Sequence, residues 1–431
     1  MAEQPRGLVI AAPGSGSGKT LVTLGLLRAL SRTGIRVSPA KAGPDYIDPR
    51  FHEAASGEAC FNLDPWAMRP ELLRQLAAAR GGLFIAEGVM GLFDGAESGA
   101  GSTADLSANL GLPVVLVMDV QRQAQTVAAL VEGIARHRSD CQVAGIIFNR
   151  VGSPRHEAIV RKAVTPTGIP VLGCIANDRN LEVPSRHLGL VQASEHPEIE
   201  AFINHAAGLV EGAVDLQTFA DMAQPVSAAP VAEGLEPLGQ RIAIARDQAF
   251  AFEYRHIIES WRAAGVEIVP FSPLENEGPD TAADAVFLPG GYPELHAGRL
   301  AGNAIFLDGV RSAAARGALI YGECGGYMVL GERLIDAEGN SHAMAGLLDV
   351  VTSFANRKLH LGYRVFSHAS PLPFAPNLRG HEFHYSTLVH QGGDMHLFIA
   401  HDAVGRELVP MGMQRANVMG SYAHIIDMAA P

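Results

Sequence analysis

The feature that most constrains this chain is a glycine-rich run at 14–20, GSGSGKT, which follows a short apolar stretch and precedes a helical one. In such a loop, successive backbone N–H groups turn toward phosphate oxygens at the N-terminus of a helix. A lysine then neutralises the outer phosphates, and a threonine hydroxyl can bind magnesium. Pro13 breaks the strict motif at its first position, and the alternative is a glycine turn without a ligand. We predict a nucleotide phosphate site formed by Gly14, Gly16, Gly18, Lys19 and Thr20.

The first half of the chain alternates short apolar runs with helical stretches in which Ala and Leu recur every three or four residues. Strands that alternate with helices indicate a parallel sheet covered on both faces. We therefore predict an α/β phosphate-loop domain whose strands lie at 8–12, 37–41, 83–87, 114–119, 145–149 and 171–175.

A second α/β pattern starts at about residue 241, after a segment rich in Pro, Ala and Gly (AQPVSAAPVAEGLEPLG). Such a segment is typical of an interdomain linker, and 431 residues are enough for two domains with separate cores. We predict one domain at 1–212, a linker at 213–240 and a second domain at 241–431.

The composition excludes several classes of function. A formal net charge of −12 argues against nucleic-acid binding, which needs clustered Lys and Arg. No run approaches the roughly 18 apolar residues of a membrane span, and the N-terminal sequence lacks the features of a secretory signal. We expect a cytoplasmic protein. Its widely separated cysteines suggest neither a disulfide framework nor a zinc site: Cys60, Cys141, Cys174 and Cys324.

Acidic residues stand where the next predicted strands end. In an open parallel sheet these ends share one edge with the phosphate loop, so the carboxylates should converge beside the phosphates. Carboxylate and hydroxyl oxygens suit Mg²⁺, and we predict Thr20, Asp45 and Glu87 as its ligands. Helix capping or turn formation is the alternative role. The acidic residues concerned are Asp45, Asp48, Glu87, Asp94 and Asp119.

Lys41 comes just before the first of these acidic loops. We predict that its ammonium group reaches a phosphate or a phosphoryl group in transfer; the alternative is a surface lysine.

Cys324 has the sequence context of a nucleophile. It lies in GECGG, between an apolar strand and a helical stretch, and flanking glycines permit the tight turn that such a residue needs. We expect the helix N-terminus to lower the pKa of the thiol. Glycines in LPGGYPEL, Gly290 and Gly291, are predicted to supply oxyanion-hole N–H groups. A buried structural cysteine is the alternative.

His424, in GSYAH, is the predicted base for this thiol. Ile426 occupies the position two residues later, where a triad would have its acid, and Asp427 is one residue out of register. We therefore predict a Cys–His dyad whose ring is held by backbone or by another group. His384, in GHEFHYS, is a rival base, although its polar cluster also suits substrate binding.

Taken together, these motifs resemble the cobyrinic or hydrogenobyrinic acid a,c-diamide synthases of cobalamin biosynthesis. The segments that carry the resemblance are GSGSGKT, KAGPDYIDP, FNLDPW, EGVMGLFDG, PSRHLGL, LPGGYPELHA, GECGGYMVLG, GHEFHYS and GSYAH, which extend over nearly the whole chain. The family's N-terminal domain is similar to dethiobiotin synthetase, and its C-terminal domain is similar to class I glutamine amidotransferases.

The resemblance implies a ligase that uses ATP, Mg²⁺ and glutamine. ATP phosphorylates the c- and then the a-acetate of a corrin ring, and ammonia released at Cys324 displaces each phosphate. Asp45, Asp48 and Asp94 would lie near the activated carboxylate. Asn149 resembles the Asn that reads adenine in related enzymes; the alternative is a turn residue after a strand. Because free ammonia is scarce at neutral pH, we also expect a passage or a closed interface between the two sites.

Alternatives remain open at this point. They are a cobyric acid synthase, a nickel-sirohydrochlorin a,c-diamide synthase, or a phosphate-loop switch ATPase with a relic glutaminase domain. The sequence does not decide whether the corrin contains cobalt, and it allows a homodimer.

Overall fold

The computed structural model describes residues 5–178, 185–186, 189–190, 198–227, 230–393 and 395–429. The chain divides into two compact units, which we describe separately. The N-terminal unit comprises Met1–Trp66 and Pro70–Ala232, and the C-terminal unit comprises Ala67–Arg69 and Glu233–Pro431. The division falls inside the predicted linker; the extent of that linker stays a prediction.

The N-terminal unit alternates strands and helices. Its strands are β1 (Arg6–Ala11), β2 (Val37–Ala42), β3 (Phe61–Leu63), β4 (Leu83–Glu87), β5 (Val114–Asp119), β6 (Val143–Val151), β7 (Val171–Ala176), β8 (Ser185–Arg186), β9 (Gly189–Leu190) and β10 (Gln224–Pro225). Its helices are α1 (Lys19–Arg32), α2 (Asp48–Ser56), α3 (Pro70–Ala78), α4 (Thr103–Leu110), α5 (Val127–His137), α6 (Pro154–Val164), α7 (Ile199–Ala213) and α8 (Leu216–Asp221).

The seven strands β1 to β7 form one parallel sheet in the order β3-β2-β4-β1-β5-β6-β7, and β10 pairs antiparallel with β1. The predicted parallel α/β architecture is therefore confirmed. Nearly every residue of β1, β2, β4 and β5 is buried, because helices cover both faces of the sheet. The neighbours of β1 are β4 on one side and β5 on the other. The strand order changes direction at β1, and open parallel sheets bind ligands at the carboxyl ends of the strands at such a point.

Helix α1 packs closely against α7. Gly25 makes this approach possible, since a methyl group at that position would lie 2.5 Å from Val210 Cγ2 and 2.8 Å from the Ala206 carbonyl oxygen. Part of the PSRHLGL motif forms the short β8–β9 pair; Pro184, His187 and Leu188 lie outside the described residues.

The C-terminal unit contains more strands than the N-terminal unit. Its strands are β11 (Arg241–Ala245), β12 (Glu267–Phe271), β13 (Ala285–Leu288), β14 (Leu319–Glu323), β15 (Arg333–Ile335), β16 (Ser341–Ala343), β17 (Val350–Ser353), β18 (His360–Ser367), β19 (Asn377–His384), β20 (Thr387–Gln391), β21 (Ile399–Asp402), β22 (Met413–Arg415), β23 (Val418–Ser421) and β24 (Ala423–Met428). Its helices are α9 (Arg255–Ala263), α10 (Ala297–Gly302), α11 (Ala304–Ala315) and α12 (Gly325–Leu330).

The central sheet of this unit has the order β12-β11-β13-β14-β23-β22, in which only β22 runs antiparallel to its neighbour. Alternate side chains of β11 point to opposite faces of the sheet and pack into different apolar clusters. Ile242 and Ile244 belong to one apolar cluster, and Ala243 and Ala245 belong to another, as period-two geometry requires. The sheet β21-β18-β19-β24 is antiparallel throughout, and β16-β15-β17-β20 is mixed.

The helices in the described ranges include none with the length and apolarity needed to cross a bilayer.

The packing of α1 on α7 generates a stability prediction. Gly25→Ala should lower the free energy of unfolding by about 1–3 kcal/mol, because the added methyl group overpacks a rigid helix contact. Gly208→Ala is the matched control: it lies exposed on α7 with no atom within 4 Å of the added Cβ. That change should instead raise stability by about 0.5–1 kcal/mol through helix propensity. Equilibrium urea unfolding measures both, and equal effects would refute the close packing.

Candidate active sites

The phosphate loop connects β1 to α1 and depends on glycines with positive φ. Gly16 has φ 79° and Gly18 has φ 85°, a region that side chains with a Cβ rarely occupy. A Cβ at Gly18 would also overlap the side-chain amide of Asn149. That amide donates a hydrogen bond to the Ser17 carbonyl oxygen at 3.0 Å. Asn149 therefore stabilises the phosphate loop. This contact is separate from its predicted role in binding adenine.

Two cations lie beside the loop. Lys19 is the first residue of α1, and its Nζ donates to the Met90 carbonyl oxygen at 2.6 Å. Burial lowers the pKa of this ammonium group, although Glu87 opposes the shift. Arg150 has φ 59° and donates to the Gly16 carbonyl oxygen at 2.8 Å. It also pairs with Asp119 at 2.5 Å, so the carboxylate of Asp119 is used in positioning this arginine.

A buried ion cluster lies at the carboxyl ends of β2 and β4. Lys41 Nζ contacts Asp48 Oδ2 at 2.5 Å and Glu87 Oε1 at 2.9 Å. Burial alone would lower the pKa of Lys41, but these two carboxylates hold it above its ordinary value. Lys41 is only 3% exposed, so the alternative of a surface lysine is wrong.

Glu87 is the centre of this cluster. Its Oε1 also accepts from Thr20 Oγ1 at 2.7 Å, and its Oε2 lies 2.6 Å from His52 Nε2. Burial would raise the pKa of Glu87, but Lys41 and His52 outweigh it and hold that pKa below the ordinary range. Sequence reasoning missed His52. It lies one turn after Asp48 on α2, and this (i, i+4) spacing on a helix face was the available signal.

Asp45 and Asp48 hold further oxygen atoms in the same place. Asp45 Oδ1 accepts from the backbone N–H groups of Ile47 and Asp48 at 2.7 and 3.2 Å, so this residue also has the turn-forming role that was one of its alternatives. Burial, with the nearby Asp48 carboxylate, raises the pKa of Asp45 to about 6. Asp48 Oδ1 is buried and has no hydrogen-bond partner within the described part of the chain. An orphaned carboxylate oxygen of this kind is a candidate cation ligand.

These groups share one cavity of about 540 Å³. The predicted residues that line it are Gly16, Gly18, Lys19, Thr20, Lys41, Asp45, Asp48, Glu87 and Asn149. Gly14 and Asp94 are absent from that lining. Asp94 is exposed and accepts a hydrogen bond from the Gly91 N–H at 2.8 Å, which holds its own loop.

In the C-terminal unit, Cys324 stands at the turn between β14 and α12. Its backbone has φ 45° and ψ −101°, a strained conformation for a residue with a side chain. The Cys324 N–H donates to the Ser421 carbonyl oxygen of β23 at 2.7 Å. A Cβ at Gly326 would overlap the Leu288 carbonyl group, so the glycine after the turn is required by close packing against β13.

The thiol itself is 4% exposed, and its Sγ lies 3.9 Å from the Phe383 carbonyl oxygen. Burial raises the pKa of the Cys324 thiol well above its ordinary value, and the carboxylate of Glu294 adds to the shift. The expectation of a lowered thiol pKa is therefore wrong for this conformation. Loss of hydration outweighs the field of a six-residue helix.

His424 lies on β24. It comes three residues after Ser421, whose carbonyl oxygen accepts the hydrogen bond from the Cys324 N–H. A Cβ at Gly290 would overlap Cε1 of its ring, so Gly290 leaves the space that the imidazole occupies. Burial, then the neighbouring His381, lowers the pKa of His424 well below the ordinary value. The imidazole is therefore neutral at physiological pH, which suits a base.

The position of the missing triad acid is apolar, as expected: Ile426 is buried. Asp427 accepts hydrogen bonds from Arg69 N at 2.9 Å and Arg69 Nε at 3.0 Å, within the same unit. Glu323 lies within ion-pair range of His424, with 3.9 Å between Oε2 and Nδ1. Sequence reasoning missed Glu323, although it directly precedes the predicted nucleophile.

The rival base, His384, uses both ring nitrogens. Nε2 lies 2.9 Å from Glu382 Oε1, and Nδ1 lies 3.1 Å from the Ser386 carbonyl oxygen. These contacts favour His424 as the base.

His360, Glu382 and His384 bring ligand atoms within 4.8 Å of one another. However, the two imidazoles are stacked with only 6° between their planes. A metal ion should lie near the plane of each ring that binds it, and two parallel planes do not meet. Glu382 also pairs with Arg364 at 2.8 Å. Among the described residues this arrangement is therefore better suited to a hydrogen-bond network than to a metal.

Comparison with known proteins identifies both units. Residues 8–191 match the family described as the CobQ/CobB/MinD/ParA nucleotide binding domain, and residues 241–430 match the CobB/CobQ-like glutamine amidotransferase domain.

Relatives match nearly the whole length of the chain. A hydrogenobyrinate a,c-diamide synthase from Brucella anthropi is 56% identical over 429 residues, which are 98% of both chains. Proteins with the same name from Sinorhizobium sp and Rhizobium meliloti are 56% and 55% identical, and each comparison covers 98% of this chain and 99% of the relative.

The contact between Gly290 and His424 generates a prediction. Gly290→Ala should reduce glutamine hydrolysis by about 100-fold, because the new methyl group displaces the imidazole by a fraction of an ångström or more. Synthesis supported by ammonium chloride should persist. Gly302→Ala, in α10 with no atom within 4 Å of the added Cβ, is the control and should change neither activity. Glutamate release measures the hydrolysis. Equal rates for Gly290→Ala and Gly302→Ala would contradict the role of Gly290 in making room for the His424 imidazole.

Proposed function

Since the chain belongs to the hydrogenobyrinate a,c-diamide synthase family of glutamine-dependent amidating ligases, we propose that it amidates the a- and c-acetate carboxylates of hydrogenobyrinic acid. The observation that carries this proposal is 56% identity over 98% of both chains. The activity for which these relatives are named favours the cobalt-free acid over cobyrinic acid.

The N-terminal unit activates the carboxylate. A carboxylate is a poor electrophile, because oxide would have to leave, and transfer of the γ-phosphoryl group of ATP gives the carbon a stabilised phosphate leaving group. Gly16, Gly18 and Lys19 hold the phosphates of ATP, and Lys19 balances charge on the phosphoryl group during transfer. Burial of Lys19 strengthens this interaction because little water screens it.

Mg²⁺ is the cation that this oxygen-rich site would hold. The donor set fits, since Thr20, Asp45, Asp48 and Glu87 line one cavity, and Asp48 Oδ1 is a buried oxygen to which none of the described residues donates a hydrogen bond. When bound, the ion neutralises phosphate charge. Lys41 and His52 hold Glu87 and Asp48 in place through the contacts given above, so the carboxylates do not need to reorganise around the ligand.

The C-terminal unit releases ammonia. His424 takes the proton of the Cys324 thiol, and the sulfur then attacks the amide carbon of glutamine. Backbone N–H groups at Gly290 and Gly291 stabilise the oxyanion. The C–N bond breaks as His424 returns the proton to the leaving nitrogen, and water hydrolyses the thioester to give glutamate and the free thiol.

The two chemistries should be separable by substitution. Cys324→Ala should abolish glutamine-dependent amidation and retain most of the synthesis supported by high ammonium chloride, because only the ammonia source is lost. Lys19→Ala should have the reciprocal effect: no synthesis with either nitrogen donor, but residual glutamine hydrolysis. Mass spectrometry of the corrin product and a glutamate assay measure the two activities.

A matched control is Cys141→Ala, which removes another buried thiol outside both sites and should keep both activities. Loss of ammonium-supported synthesis in Cys324→Ala, with an intact fold, would contradict the assignment of separate sites. Product formation at the unaltered rate in Lys19→Ala would contradict the assignment of the phosphate loop.

A further inference from the structure

We propose that Glu323 is the positioning residue for His424, so that glutamine hydrolysis uses a Cys324–His424–Glu323 arrangement whose acid directly precedes the nucleophile in the chain. This inference rests on the glutaminase function proposed above. It concerns how the imidazole is held, which neither the motif nor the family names address.

The other acids near His424 are engaged elsewhere. Asp427 is bound by Arg69 through its backbone and side chain. Glu382 accepts from Arg364 at 2.8 Å through Oε2 and lies 2.9 Å from His384 through Oε1. Ile426 provides no polar group.

The contacts of Glu323 direct one oxygen toward the imidazole. Oε1 accepts from Tyr321 Oη at 3.1 Å and from the Ile425 N–H at 3.2 Å. Oε2 faces Nδ1 of His424 at 3.9 Å, which is within ion-pair range but long for a hydrogen bond. A closing shift of about 1 Å would form the bond, and catalytic hydrogen bonds commonly tighten in this way when substrate binds.

The pairing of β14 with β23 fixes this geometry. Glu323 is in register with Ser421, and the Cys324 N–H is bound to the carbonyl group of that serine. Glu323 ends β14 and His424 lies on β24, and the Ile425 N–H links the two segments by donating to Glu323 Oε1 at 3.2 Å. Gly290 lies against Cε1 of the same ring. The carboxyl group is 5% exposed, so water does not screen the interaction.

The protonation state of Glu323 would select the tautomer of His424. An ionised Oε2 accepts from Nδ1–H and leaves the lone pair on Nε2, the form that can take the thiol proton. A protonated Oε2 would instead donate to Nδ1 and place the imidazole proton on Nε2, which removes the base. After proton transfer the ionised carboxylate also stabilises the imidazolium.

The surroundings make this switch testable by pH. Burial raises the pKa of Glu323 to about 8, with the Ile425 N–H and the Tyr321 hydroxyl opposing the shift. His381 stacks on His424 at 4.8 Å between ring centroids, and burial lowers the pKa of His381 to about 3, so it adds no charge near neutral pH. The Tyr321 phenol, the Cys324 thiol and His424 itself are likewise uncharged there, because burial raises the first two pKa values and lowers the third. Burial raises the pKa of Glu294 to about 7, but its ionised carboxylate raises the pKa of the Cys324 thiol and so opposes formation of the thiolate as pH increases. Glu323 is therefore the group whose ionisation should raise activity as pH increases.

The experiment measures kcat/KM for glutamine hydrolysis from pH 6 to pH 10 in the full-length enzyme, beside ammonium-supported synthesis. Glu323→Gln should lose roughly two orders of magnitude or more in hydrolysis, since an amide N–H can hold the wrong tautomer, and should lose the limb centred near pH 8. Glu323→Asp should recover part of the activity together with a pH-dependent limb. Asp427→Asn, which removes a neighbouring acid that is bound to Arg69, should keep the wild-type profile.

Two results would overturn the inference. One is hydrolysis by Glu323→Gln within about threefold of wild type and with the same pH profile. The other is an equal loss of both activities in the Gln and Asp variants, which would indicate a purely structural role. Glutamine-dependent amidation by Cys324→Ala would instead overturn the proposed function, so the two failures are distinguishable.

Discussion

The pairing of β14 with β23 is the interaction on which the chemistry of the C-terminal unit depends. These parallel strands end together, and the Cys324 N–H binds the carbonyl group of Ser421 at 2.7 Å. The chain then leaves the central sheet and enters the antiparallel sheet two residues later, at β24. Cys324 and His424, the proposed nucleophile and base, are 100 residues apart in sequence, yet Cys324 follows the end of β14 and His424 lies three residues beyond the end of the paired strand β23.

In the N-terminal unit, the main constraint is that several carboxylates lie close together in a buried site. Lys41 lies between Asp48 and Glu87, and His52 supports Glu87 from the other side. An unpaired carboxylate in this position would be costly to bury. Lys41 and His52 hold the pKa of Glu87 below its ordinary range, so this carboxylate remains ionised beside the phosphate loop. Among the described residues, Asp48 Oδ1 is left without a hydrogen-bond partner. This is the electrostatic arrangement that a cation and a triphosphate require.

Much of this could be predicted from the sequence, and the reasons are local. The phosphate loop and the parallel sheet follow from strand, glycine turn and helix signals that are contiguous in the chain. The cysteine turn was recognisable because its flanking glycines are adjacent to it. By contrast, β3 is three residues long and β10 is two, too short for any periodic pattern.

The partners of the site residues could not be predicted. His52 has no motif around it. Glu323 could be recognised only as part of GECGG, because its proximity to His424 depends on strand register. The thiol pKa was predicted in the wrong direction, because the helix N-terminus is evident in sequence whereas the burial of Cys324 is not. Lys41 shows the same limit, as its two carboxylate partners come from different elements.

The central claim, that each amide forms through an acyl phosphate, can be tested directly with hydrogenobyrinic acid labelled with ¹⁸O in its carboxylates. The purified enzyme would receive this acid with unlabelled ATP, magnesium and glutamine, and the inorganic phosphate would be analysed by mass spectrometry. We predict one ¹⁸O atom in phosphate for each amide formed, because the carboxylate oxygen leaves with the phosphoryl group. Amide formation with unlabelled phosphate would contradict the account.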